Sequence, residues 1–212
     1  MAYDLEEQES IDQLKAWWEK WGTPVTAAVC VACVGFAGWN GWKWYQARQS
    51  AAASGAYVQL QNAAMQLDMK NVSSISKGLI SEYGTTVYAT LGALTAAGVE
   101  ADTGDAKSAE AMLRWVIDKS GREEYQTLAR LRLAGVYLAD KKIAEAEAVM
   151  KDIKPVKEQE ALVEDRLGDI AFAKNDAARA AEHWDKALKA AAQGSAIQQI
   201  VSLKRGALPP KD

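Results

Sequence analysis

Residues 131–153 read LRLAGVYLADKKIAEAEAVMKDI, and residues 165–187 read DRLGDIAFAKNDAARAAEHWDKA. Laid over each other at an offset of 34, Leu133-Ala134 meets Leu167-Gly168, Ala146 meets Ala180, Met150 meets Trp184 and Ile153 meets Ala187. An upstream segment, AAGVEADTGDAKSAEAMLRWV (96–116), puts Ala97, Ala109, Leu113 and Val116 at the same points, 37 residues ahead of the next copy. Self-similarity at such a period marks stacked supersecondary units. After residue 46 the strong helix formers Ala, Glu, Lys, Leu and Gln dominate, and no alternating Val/Ile/Thr run occurs. Helices are expected at about 46–69, 72–83, 86–101, 106–119, 123–139, 143–153, 159–174, 177–191 and 195–205. Breakers fall between them: Tyr83-Gly84, Thr103-Gly104-Asp105, Ser120-Gly121, Asp140-Lys141, Pro155, Asn175-Asp176 and Gly194.

The small residues have a packing reason. Ala134, Gly168, Ala146 and Ala180 let paired helices approach closely, and Met150 and Trp184 fill the gap to the neighbouring unit. The pattern resembles the tetratricopeptide repeat, with Tyr137 at its aromatic position; Ala171 and Glu100 depart from it, so the first and third copies are degenerate. An irregular α-helical bundle with chance alanine spacing is the alternative. In a stacked array the first helices of the pairs line the concave face. That register places Leu91, Leu94, Gly98, Leu128, Leu131, Gly135, Leu138, Leu162, Asp165, Asp169 and Phe172 there. Such a face suits an apolar segment or a partner helix better than a peptide carboxylate, the rival role for these leucines being core. Replacing Leu131 and Phe172 by Glu is expected to weaken partner binding while helicity survives.

The N-terminal part is of another kind. Trp17 to Tyr45 reads WWEKWGTPVTAAVCVACVGFAGWNGWKWY and holds six of the eight tryptophans: Trp17, Trp18, Trp21, Trp39, Trp42 and Trp44. No Asp, Glu, Lys or Arg occurs from Gly22 to Asn40. As a helix, Pro24 to Trp42 is roughly 28 Å long, close to the ~30 Å of a bilayer's hydrocarbon core. Amphipathic tryptophan rings collect at membrane interfaces, so the two clusters read as anchors at either end of one span. The rivals are a buried core helix and a cleaved signal peptide. The second needs a basic leader, whereas residues 1–21 carry Asp4, Glu6, Glu7, Glu9, Asp12 and Glu19 against Lys15 and Lys20. Lys and Arg tie across the span, Lys15 and Lys20 against Lys43 and Arg48, so charge alone leaves orientation open. The expected organisation is all-α: a tail (1–22) with an amphipathic Ile11-Leu14-Trp18-Trp21 segment, a transmembrane helix (23–45) and an α-solenoid of tetratricopeptide-like repeats (46–212).

Of the 25 basic and 28 acidic residues, 3 and 6 fall in the first 45, which leaves 22 of each for the repeat region. That balance carries no electrostatic footprint for nucleic acid. Cys30 and Cys33 both lie in the span, where C-x-x-C is small apolar filler and not a zinc or redox pair, since the sole histidine is His183. There is no G-x-S-x-G, HExxH or glycine-rich phosphate loop. No catalytic, metal or cofactor residue and no small-molecule substrate are expected. An enzyme or enzyme regulator remains a minor alternative.

The order of parts carries a further resemblance. An acidic tail, an amphipathic segment, a Trp-flanked span, GWKWYQARQSAAASGAYVQLQNA (41–63), the Tyr88-to-Ala96 segment and RLRLAGVYLADKKIAEAEAVMKDIK (130–154) together resemble the YfgM family, the ancillary SecYEG translocon subunits of Gram-negative inner membranes. The resemblance implies a cytoplasmic N-terminus and a periplasmic repeat domain in a single-pass inner-membrane protein. It also implies association with SecYEG and with a membrane-anchored periplasmic chaperone of the prolyl-isomerase type. It further implies handling of newly exported client proteins. An envelope scaffold whose repeats build complexes unrelated to export is the alternative.

Overall fold

The computed structural model describes residues 3–151, 153 and 156–208. Among these, nine α-helices and one short 3-10 turn occur and no strand. The chain divides into two units, residues 1–49 and 50–212. The first is helix throughout its described part, within α1 (Tyr3–Met65). Its apolar stretch is the one described helix long and apolar enough to cross a membrane, and only 6% of it is buried. That exposure removes the core-helix alternative. Pro24 lies inside the helix; Thr26 Oγ1 donates to the Gly22 carbonyl at 2.7 Å.

The second unit begins with the end of α1 and continues through α2 (Met69–Tyr83), α3 (Val87–Asp102), α4 (Ala106–Lys119), α5 (Glu123–Ala139), α6 (Ile143–Met150), the 3-10 turn (Lys157–Gln159), α7 (Glu160–Ala173), α8 (Ala177–Ala190) and α9 (Ala196–Gly206). Side-chain oxygens of Asp68, Thr86, Asp105, Asp176 and Ser195 accept the backbone N–H three residues on and start five of these helices. Helix α6 stops at Met150, where Lys151 turns to extended backbone; this is three residues short of expectation. The breaker Pro155 lies outside the described residues.

One turn recurs four times. Leu67, Gly104, Lys141 and Asn175 each have positive φ, of 52°, 88°, 60° and 62°, at spacings of 37, 37 and 34 residues. In each copy this residue's N–H donates to the carbonyl three back. The next N–H reaches the carbonyl five back: Asp68 to Ala63, Asp105 to Glu100, Lys142 to Tyr137 and Asp176 to Ala171. This is the Schellman closure of a helix. The residue that completes it also starts the next helix, so each pair is joined by three residues and runs antiparallel. The array therefore holds a first pair, the end of α1 with α2, upstream of the three copies read from the sequence.

Helix α3 touches α5, and α5 touches α7, so the first helices of successive pairs lie side by side. The main core runs from Ala53, Leu60 and Val72 through Leu79, Leu113 and Leu133 to Met150 and Ile170. A smaller cluster of Ala171, Ala180, Trp184, Ala187 and Val201 ties α9 onto α7 and α8. Glycines set the closest approaches. A Cβ on Gly92 would stand 2.7 Å from Leu79 Cδ1, and one on Gly168 would run into the Trp184 indole.

Candidate functional site

The face formed by α3, α5 and α7 carries an opening, lined also by Ala106 and Leu113 of α4. It is a cavity of about 510 Å³, within the ~300–1,000 Å³ of ligand sites. Its floor is made of small residues, among them Ala97, Gly98, Ala101 and Gly135. Arg132 and Arg166 line one end, and Asp102 and Asp140 lie towards the three-residue turns. Arg132 Nη1 donates to the Leu94 carbonyl at 2.8 Å and has no carboxylate partner among the described residues. Arg166 Nη1 donates to Asp169 Oδ2 at 3.2 Å, while its Nε is buried with no acceptor.

The residues expected on this face are distributed differently. Gly98 and Gly135 do line the cavity. Leu94 and Leu131 are 4% and 5% exposed and belong to the core, so they offer nothing to a partner. Contrary to expectation, a glutamate at 131 would place an unpaired charge in the core and so cost the fold itself. Leu91, Leu128 and Leu138 are half-buried; Leu128 and Leu138 pack against the core. Leu162 and Phe172 are exposed, and Phe172 lies on Trp184 with ring centroids 5.9 Å apart.

Asp165 and Asp169 are occupied by α9. Lys204 Nζ lies 2.8 Å from Asp165 Oδ1 and 2.7 Å from Asp169 Oδ1. Burial pushes the Asp169 carboxyl above its ordinary range by more than the Lys204 hydrogen bond pulls it down. Asp165 adds like charge in the same sense. These aspartates hold the last helix in place. The two arginines, absent from the residues expected on this face, carry a signal in the repeat itself: Arg132 and Arg166 stand 34 residues apart, at the offset of the copies.

On the other side of the array, Tyr137 OH donates to Glu110 Oε1 at 2.7 Å and accepts from Arg114 Nη2 at 2.8 Å. Those contacts hold the Glu110 carboxyl below its usual range, the Tyr137 bond first. The equivalent position one unit upstream is Glu100, 1% exposed, with Oε2 lacking a partner. Burial, and then Asp105, push its carboxyl upward. His183 Nδ1 lies 2.7 Å from Glu164 Oε2 and pairs α8 with α7.

In the first unit the six tryptophans are between 48% and 64% exposed. Lys43 Nζ lies 5.3 Å from the Trp39 ring centroid, and Arg48 5.4 Å from that of Trp44. Cys30 and Cys33 are free and exposed.

The fold and this face define a helical-repeat protein. Residues 15–209 match the tetratricopeptide repeat-like domain family, and the chain belongs to it. A relative in Haemophilus influenzae, an ancillary SecYEG translocon subunit, is 29% identical over 110 residues, 52% of this chain and 53% of that protein. The chain thus matches about half the length of that relative. No solved structure matches.

Proposed function

We propose that the protein is a membrane-anchored binding module that serves as an ancillary subunit at a Sec translocon and performs no chemistry. The similarity to the Haemophilus translocon subunit carries this reading. The exposed apolar helix between two tryptophan clusters supports the anchoring. Its N-terminus is cytoplasmic and the repeat unit periplasmic. The tryptophans Trp17, Trp18, Trp21, Trp39, Trp42 and Trp44 sit at the two interfaces. The face of α3, α5 and α7 receives a segment of a partner, a membrane-anchored chaperone of the prolyl-isomerase type or an exported client. Tethering to the membrane raises the effective concentration of that weak contact.

The test is affinity purification of the full chain from native membranes in mild detergent, with mass spectrometry against a span-deleted control. Recovery of channel subunits and a periplasmic chaperone with the anchored form supports the reading. Recovery of neither overturns it and favours an envelope scaffold.

A further inference from the structure

We propose that the cavity of α3, α5 and α7 takes an extended segment of a partner protein bearing an acidic side chain and, three residues away, a basic one. This rests on the reading that the face binds protein. The charges along the cavity are separated by sign. Arg132 and Arg166 occupy equivalent positions of successive units at one end, and Asp102 stands near the turn at the other. Among the described residues neither Arg132 nor Asp102 has an ion-pair partner. Each leaves a charge available to an occupant. Asp140 at the turn end is already engaged by Lys142 at 3.0 Å.

The spacing follows from the repeat register. Gly98 and Gly135, like Gly104 and Lys141, are equivalent at 37 residues. Asp102 therefore lies level with residue 139, seven positions beyond Arg132, or ~10 Å along the helix axes. An extended chain in the polyproline II form covers about that distance in three residues and brings i and i+3 to the same side.

The floor suits the extended form. The glycines keep the floor low. No heavy atom lies within 4 Å of a Cβ placed on Gly98, and one on Gly135 would meet only the Arg166 guanidinium, at 3.5 Å. A backbone can therefore come close while its side chains reach to either end.

The test uses labelled full-length protein in detergent and an array of internal, end-blocked 12-residue peptides on an Ala/Ser/Leu host. The probes carry Asp and Lys at i and i+3, with Asn and Gln isosteres, altered spacings and free C-terminal acids as the comparison arms. The expected result is binding of the Asp-x-x-Lys peptide about tenfold above its Asn-x-x-Gln isostere, weakening with salt. Arg132→Glu should shift preference to Lys-x-x-Lys, and Asp102→Lys to Asp-x-x-Asp. Both positions are exposed; should Arg132→Glu not fold, Arg132→Gln should abolish the Asp-over-Asn preference. Equal binding of charged and isosteric peptides, or preference for free C-terminal acids alone, overturns the assignment. If Arg132→Glu leaves co-purification with the channel intact while the peptide preferences fail, this inference falls and the translocon reading stands.

Discussion

Gly168 offers a sharp test of how these helices pack. It lies inside α7, and a Cβ there would stand 3.0 Å from Trp184 Cε2, with Nε1 and Cδ1 of the same ring nearer still. Trp184 is 3% exposed and packs at a tilt against Phe172, so its ring has little room to yield. Two opposed effects decide the outcome of Gly168→Ala. Helix propensity favours alanine over glycine by ~1 kcal/mol, and overpacking a close-packed site costs ~1–3 kcal/mol. The net expectation is a loss of about 1 kcal/mol. Gly78→Ala in α2 is the control, since nothing lies within 4 Å of its Cβ position. It should gain ~0.5–1 kcal/mol. At roughly 2–4 °C per kcal/mol for a unit of this size, the two alanines should move the thermal midpoint in opposite directions. Far-UV circular dichroism of the full chain in detergent reads both. In a Trp184→Leu background the cost of Gly168→Ala should turn into a gain, which a double-mutant cycle reports as coupling. Stabilisation by Gly168→Ala equal to that by Gly78→Ala would refute the close approach of α7 and α8.

Three further outcomes follow. Lys204→Met removes the cation shared by Asp165 and Asp169; breaking a buried pair costs ~3–5 kcal/mol, which partial exposure of Lys204 reduces to about 1–3 kcal/mol. Amide exchange in α9 should accelerate at pH 7, and the deficit should shrink in acid as Asp169, already pushed upward by burial, takes a proton. Glu100 has a folded pKa raised above 4.5, so its contribution is intact below that value and is lost as pH rises through the folded one. Glu100→Gln should therefore match the parent near pH 4 in urea unfolding and exceed it at pH 7; equal stability at both pH values would count against the burial. Lys141 holds a left-handed backbone at φ 60°, a conformation that costs a side-chain-bearing residue ~1–2 kcal/mol, and Lys141→Gly should raise the urea midpoint.

The helices were legible because their determinants are local. Caps such as Asp105 and Asp176 reach only three residues forward, and helix hydrogen bonds reach four. The turns at Gly104 and Asn175 were legible for the same reason, since glycine and asparagine tolerate positive φ. The equivalent turn at Leu67 was not, because leucine gives no sign of a left-handed position. A break was expected between 69 and 72, and the structure places the turn at 66–68, inside the expected first helix.

The sequence by itself determined the all-α class, the 34- and 37-residue period, the apolar helix between tryptophan clusters and most helix boundaries, the end of α1, the start of α2 and the end of α6 lying three or four residues from expectation. Only the tertiary structure decided what each helix face meets. It drew Leu94 and Leu131 into the core, covered Asp165 and Asp169 with Lys204 from 35 or more residues away, and left Arg132 and Asp102 open on the cavity. Exposure is a property of neighbours. Those neighbours are brought by stacking of units a full repeat apart, beyond the reach of any local pattern of residues.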